Sequence, residues 1–258
     1  MAYVEDIFGL KGKTAAVIGG GGVLAGAMSD GLARAGADVA ILDLNPESAE
    51  KRAGEIQSMG VRSMAVRMDV TVKADIQAAC DRIVREWGKV DILINAPGIN
   101  SGTSFFEITE EEWNNILRVN LSGIFLASQI FGKQMVAQKS GSIINISSAS
   151  SGPPLSKVFT YAVTKAGVNN LTQNLAREWA TDGVRVNAIA PGFFPAEQNK
   201  KLLTKERTEA IFGHTPMKRF GEPNELVPAV IWLASEKASS FVTGAIIWVD
   251  GGFSAMTI

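Results

Sequence analysis

The sequence predicts an α/β chain, doubly wound, with seven parallel strands and helices on both faces of the sheet. Short β-type runs alternate with helical patterns from end to end of the 258 residues, an order that builds a parallel sheet. The run Ser142–Ile146 is apolar in the way of a buried strand. No internal repeat, low-complexity stretch or linker interrupts the pattern, so residues 1–258 are expected to form a single domain.

The first strand, Thr14–Ile18, leads into four glycines and a helix from about Val23 to Ala35, with Gly36 as its C-cap. The second strand, Asp38 to Leu42, ends at Asp43, and Pro46 suits the first turn of the next helix. A third strand from Val61 to about Met68 reaches Asp69. Lys73 to Trp87 is helical, and Ile92-Leu93-Ile94 forms a fourth strand ending at Asn95. Thr109 with Glu112 carries a capping-box signature and opens a long helix with Trp113, Ile116, Leu117, Leu121, Ile124 and Phe125 on its apolar side. After Ser142–Ile146 come a helix through Tyr161 to about Thr181 and a strand Val184–Ala190, which Pro191-Gly192 breaks. The segment 193–220 is expected to be irregular or loosely helical, a mobile substrate flap. A helix around Asn224–Ala234 and a strand Ala245–Val249 close the domain.

Bulk properties exclude several functions. The chain is 46% apolar and 20% charged with a net charge of −1, which argues against charge-driven binding of nucleic acid or membrane surfaces. No apolar run approaches the roughly 20 residues that cross a bilayer, and the N-terminus lacks the features of a secretion signal. The single Cys80 cannot form an internal disulfide and is expected in the core; no Cys/His cluster offers a metal site. A cytoplasmic protein is the expectation.

The chemistry centres on Ser148, Tyr161 and Lys165. Tyr161 and Lys165 are four apart, hence one turn apart on a helix face, and Ser148 lies 13 residues upstream at a strand end. A hydroxyl, a phenol and an ammonium converging on one point suit proton transfer to and from an alcohol or ketone. An ammonium near a phenol would lower its pKa from about 10 towards the working range of a general acid/base.

Gly19-Gly20-Gly21-Gly22 stands between a strand and a helix, where a dinucleotide pyrophosphate meets backbone N–H groups and the positive helix end. Two frames fit: Gly20, Gly22 and Ala25, or Gly19 followed by Val23 and Ala25. Asp43, 24 residues after Gly19, can accept hydrogen bonds from the adenosine ribose and repel a 2′-phosphate, so NAD is expected over NADP. Asp69 either reaches the adenine edge or caps the following helix. Asn120 lies on the apolar stripe of the long helix and must have a partner, either a helix-kinking bond or, the preferred reading, a water in a proton path.

These residues, with Asn95-Ala96-Pro97-Gly98, Val119-Asn120-Leu121 and Val249-Asp250-Gly251-Gly252, resemble the classical short-chain dehydrogenases/reductases along essentially the whole chain. The resemblance implies a Rossmann fold with Tyr161 as acid/base and Ser148 positioning the reacting oxygen. It also implies that Lys165 binds the nicotinamide ribose and that Asn120 holds a relay water. Cofactor contacts are expected at Gly19, Gly21, Gly22, Val23, Leu24, Asp43, Asp69, Val70, Asn95, Ala96, Gly98, Tyr161, Lys165, Pro191, Gly192 and Phe194. A homotetramer packed through the Asn120 and Tyr161 helices and the last strand is implied. Trp113, Phe125, Phe131, Trp179 and Trp248 serve either that interface or the core.

Three departures stand out: Val23 and Ala25 replace loop glycines, Ala96-Pro97 replaces Asn-Ala, and Ala196 replaces a threonine. The stretches 19–26, 191–199, 214–223 and 250–255 look most like the D-mannonate oxidoreductase (fructuronate reductase) branch. A sugar acid needs a cation or amide for its carboxylate and several hydroxyl partners; besides Ser148 and Tyr161, candidates are Asn100, Ser101, Lys157, Gln198, Asn199 and Lys200. Lys157 is alternatively a solvated surface residue, and His214 is expected to be structural. A gluconate 5-dehydrogenase-like or 3-oxoacyl reductase-like enzyme and a catalytically idle dinucleotide sensor are the alternatives.

Overall fold

The structure, a computed structural model, describes residues 3–195 and 203–256. Seven parallel strands form one sheet in the order β3-β2-β1-β4-β5-β6-β7. They are β1 (Thr14–Ile18), β2 (Asp38–Asp43), β3 (Ser63–Arg67), β4 (Ile92–Asn95), β5 (Gly141–Ile146), β6 (Val184–Pro191) and β7 (Ile246–Val249). The main helices are α1 (Tyr3–Phe8), α2 (Val23–Arg34), α3 (Pro46–Gln57), α4 (Lys73–Trp87), α5 (Glu110–Leu117), α6 (Gly123–Gln138), α7 (Phe159–Trp179), α8 (Lys205–His214), α9 (Val227–Ala234) and α10 (Glu236–Ser239).

Successive strand residues face opposite sides, so each strand feeds two cores. Ala15 and Val17 of β1 join Met28, Leu32, Ile56, Val230 and Leu233 from α2, α3 and α9. Ala16 and Ile18 join Ile76, Ile83, Phe131, Met135 and Ala176 from α4, α6 and α7 on the other face. Cys80 belongs to this second core; burial pushes its thiol up to about 12, which leaves it unreactive. Phe131 is wholly buried, whereas Trp113, Phe125 and Trp248 are partly exposed. Among the described residues no helix is long and apolar enough to cross a membrane, and no His/Cys/Asp/Glu group is placed to hold a metal.

Local chemistry moves several expected boundaries. β3 begins at Ser63 rather than Val61 because the Asp38 carboxylate takes the Arg62 N–H (2.8 Å) and guanidinium. β7 begins at Ile246 because the Ala245 N–H turns to Asn187 Oδ1 (3.0 Å). The short α1, unmarked in the sequence, is held from the far end of the chain by Ser235 Oγ–H on the Ile7 carbonyl. Thr109 caps α5 by accepting the Glu112 N–H, but Glu112 accepts instead from Thr103 Oγ1 (2.8 Å), leaving half a capping box. The expected long helix is interrupted at residues 118–122 by a wide π turn. Of the described part of the segment 193–220, residues 205–214 form α8, whose last residue His214 meets the ring of Phe253 edge-on at 4.7 Å.

Since β1 is flanked by β2 on one side and β4 on the other, the chain reverses its winding there. The loops after β1 and β4 therefore diverge and open a crevice at the C-terminal edge of the sheet.

Candidate active site

Parallel pairing delivers the ends of β1, β4, β5 and β6 to that edge, and the sequence has placed polar residues just beyond them. Two residues past β5, Ser148 is extended (φ −164°, ψ 155°) and caps the turn Ala149–Ser151. Its Oγ accepts from both the Ser150 N–H (3.1 Å) and the Ser150 hydroxyl (3.0 Å). With its lone pairs so engaged, Ser148 is left to donate its own proton.

Tyr161 and Lys165 stand one turn apart on α7. The lysine is 2% exposed, donates from Nζ to the Ile146 carbonyl (2.7 Å), and lies 5.4 Å from the centre of the Tyr161 ring. Burial pushes its ammonium down to about 8. Burial likewise pushes the Tyr161 phenol above its ordinary value, while the facing Ser148 hydroxyl pulls it back. This corrects the expected depression by Lys165: the ammonium is turned onto a backbone carbonyl, so desolvation dominates the phenol. At neutral pH Tyr161 carries its proton and is set to give it.

These three groups face a chamber of about 560 Å³, which continues past Gly19, Gly22, Ala96 and Gly98 into a second of about 440 Å³. The second chamber is lined by Gly21, Asp43, Asp69 and Val70. Gly19 has φ +77°, and a Cβ there would lie 2.9 Å from the Ala96 carbonyl oxygen. At Gly21 a Cβ would come within 3.0 Å of Asp43 Oδ2. Gly22 begins α2 with no side-chain cap, which leaves the first N–H groups of that helix for an anionic group. Asp43 stands at the same loop, accepting from Gly21 N–H (3.0 Å) and Asn45 N–H (2.9 Å). Bare backbone, a helix N-terminus and a carboxylate along one groove fit a dinucleotide. Leu24, Gly192 and Phe194 line the first chamber.

Other expected contacts are not in the groove lining. Asn95 is wholly buried, donating to Asn145 Oδ1 (2.8 Å) and Ser128 Oγ (3.2 Å), so it ties β4 to β5 and α6. Pro191 is buried as the last residue of β6, and Val23 turns outwards, 47% exposed. Asp69 lines the groove, yet its Oδ1 accepts from the hydroxyl and N–H of Thr71, which together hold its carboxyl below the usual range. It thus caps the turn before α4 while lining the second chamber. The buried Asn120 side chain has a structural partner: it accepts from Ile99 N–H and donates to Ile99 O, both at 2.9 Å, and to Thr164 Oγ1 at 3.3 Å. The side chain thereby pins the loop after β4 to the π turn; both of its N–H donors are engaged, and Oδ1 keeps one lone pair for a further donor.

Of the substrate candidates, Asn100 lines the chamber. Ser101 does not and is bonded to Thr103 (2.6 Å). Lys157 is exposed in a left-handed turn (φ 61°), outside the lining. Gln198, Asn199 and Lys200, with Ala196, lie outside the described residues. Sequence reasoning missed Ser150, signalled only by the serine-rich stretch Ser147-Ser148-Ala149-Ser150-Ser151, and Arg207, which α8 carries to the chamber.

A dinucleotide groove meeting a Ser–Tyr–Lys set defines the class. Residues 22–254 match the family model described as enoyl-(acyl carrier protein) reductase, and the chain belongs to the short-chain dehydrogenases/reductases as an oxidoreductase. Among its relatives is the 5-keto-D-gluconate 5-reductase of Escherichia coli (strain K12), 36% identical over 250 residues, covering 96% of this chain and 98% of that one. A gluconate 5-dehydrogenase from Burkholderia cenocepacia J2315, solved with NADP and tartrate, superposes with a TM-score of 0.94 at 34% identity, over 99% of this chain and 100% of that one. A protein assigned as a D-mannonate oxidoreductase from Haemophilus influenza, solved with bound NAD, gives 0.92 at 36% identity, over 96% and 97%.

Proposed function

We propose that the chain interconverts a ketone and a secondary alcohol on a sugar acid, with NAD(H) as its dinucleotide. The observation that carries this is the convergence of Ser148, Tyr161 and Lys165 on a chamber continuous with the glycine-lined groove. The bound dinucleotide supplies or accepts the hydride. The protein does the rest: Ser148, fixed as a donor by Ser150, holds the reacting oxygen, and Tyr161 gives that oxygen a proton or takes it back. Lys165, adjacent to the ring, supplies positive charge beside the ribose end of the groove. Asp43 supports NAD: a carboxylate at the adenosine end accepts from a ribose diol and repels a 2′-phosphate.

For the substrate, the D-fructuronate/D-mannonate pair leads, supported by the loops that resemble that branch and by the Haemophilus structure. The E. coli and Burkholderia relatives favour a second reading, 5-keto-D-gluconate/gluconate. Both ketones carry the carbonyl at C5 of a hexonate, so one site geometry serves either. We place the enzyme in the cytoplasm as a homotetramer, for which the half-exposed Trp113, Phe125 and Trp248 supply apolar contact surface.

The test is NADH absorbance with purified protein against both keto acids, the reverse reactions with NAD, and NADPH beside each. Turnover should appear with NADH, oxidation should accelerate with rising pH as Tyr161 loses its proton, and Tyr161→Phe should remove turnover while leaving NADH affinity intact. Activity retained by Tyr161→Phe would refute the acid/base assignment, and silence on every keto acid would refute the substrate class.

A further inference from the structure

Of the side chains lining the 560 Å³ chamber, only two are charged among the described residues, and both are cations: Lys165 and Arg207. Lys165 donates to the Ile146 carbonyl and lies beside the Tyr161 ring. Arg207 comes from α8, where its N–H is tied to the Thr204 cap (3.1 Å). One guanidinium nitrogen donates to Ser156 Oγ (2.9 Å), on the loop that also carries Ser148. No carboxylate among the described residues pairs with it, as with Arg118 and Arg185, which bond uncharged partners, whereas Arg52, Arg62, Arg82 and Arg219 each contact an acid. The neighbouring lining, Leu155, Val158, Leu203, Ile211 and Phe220, is apolar. A half-buried guanidinium with donors to spare, in an apolar wall facing a proton-transfer centre, is suited to a planar anion.

We propose that Arg207 is the specificity-determining residue that binds the substrate carboxylate, with Ser156 holding its guanidinium in place. This deepens the reading above, on which it rests for the site and the reaction, and it adds Arg207 of α8 to the cation and amide candidates for the carboxylate. The substrate then reaches from its C5 oxygen at Ser148 and Tyr161 to its carboxylate at Arg207. A neutral sugar ketone of the same length would leave Arg207 without a partner.

The test uses binding as well as turnover. Isothermal titration of the enzyme–NADH complex compares D-mannonate with D-mannitol, its uncharged counterpart, for wild type, Arg207→Gln, Arg207→Lys and Lys205→Gln. Steady-state rates compare D-fructuronate with D-fructose in the same proteins. Wild type should bind the acid more tightly than the polyol, and Arg207→Gln should lose about 10- to 100-fold in KM and Kd for the acid alone, the range of a hydrogen bond to a charged group. Arg207→Lys should recover part of the loss, since an ammonium keeps the charge but not the fork. Lys205→Gln, an exposed cation on the same helix, should change nothing and so separates a contact from a general field. Equal binding of acid and polyol by wild type, or equal losses on both in Arg207→Gln, would overturn the inference. Selective acid binding that depends on Arg207 without turnover would uphold it and instead overturn the proposed reaction.

Discussion

Replacing Asp43 with alanine probes the cofactor reading at a single carboxylate. Asp43 accepts from the Gly21 and Asn45 N–H groups and lines the second chamber. A hydrogen bond from ribose to this charged group is worth about 1.5–3 kcal/mol, so its loss should weaken NADH by roughly 10- to 100-fold. The repulsion of a 2′-phosphate is lost as well. Two charges about 4 Å apart repel by roughly 4 kcal/mol at an effective dielectric constant of 20, and partial exposure of Asp43 reduces this to something nearer 1–2 kcal/mol. NADPH should therefore bind about tenfold more tightly to the variant, and the NADH/NADPH preference should fall by about 100-fold or more. The two orphaned N–H groups face a part-exposed loop that water can reach, so a loss near 1 kcal/mol and a Tm drop of about 2–4 °C are expected. Fluorescence titration with both dinucleotides at fixed salt reads the ratio; Asp43→Asn separates charge from hydrogen-bond acceptance. An unchanged ratio in Asp43→Ala would refute the assignment.

Two further outcomes follow from the geometry. Gly19→Ala forces a side chain into φ +77° and 2.9 Å from the Ala96 carbonyl oxygen, so stability should fall by about 1–3 kcal/mol together with NADH affinity; denaturant melts matching wild type would contradict this. Lys165 falls from 10.5 to about 8 on burial, a penalty of roughly 3 kcal/mol. Below pH 8 the folded chain carries the buried ammonium, and between about 8 and 10.5 the unfolded chain holds a proton that the folded one lacks, so the penalty is relieved as pH rises. The stability advantage of Lys165→Met over wild type should therefore shrink by about that amount between pH 7 and 10.5, and a pH-independent difference would refute the assigned burial.

Much of the architecture was legible in one dimension because it depends on local patterns. Buried strands read as apolar runs, the helices between them impose parallel pairing, and four-residue spacing puts Tyr161 and Lys165 on one face whatever the tertiary context. Asp43 was legible for the same reason: a strand end after a glycine loop has one place to go. Boundaries shifted where a side chain from elsewhere took over a backbone group, as Asp38 does at Arg62 and Asn187 at Ala245.

The pattern of residues along the chain thus settled the fold class and singled out Ser148, Tyr161, Lys165 and the glycine loop as candidates that line one groove. Only tertiary packing decided what each polar group faces. It turned Lys165 onto the Ile146 carbonyl, engaged the Asn120 amide with Ile99 and Thr164, and buried Asn95 between β4, β5 and α6. It also set Arg207 rather than Lys157 in the chamber wall. Hydrogen-bond partners and desolvation come from neighbours distant in sequence, and no periodicity records which of them arrive.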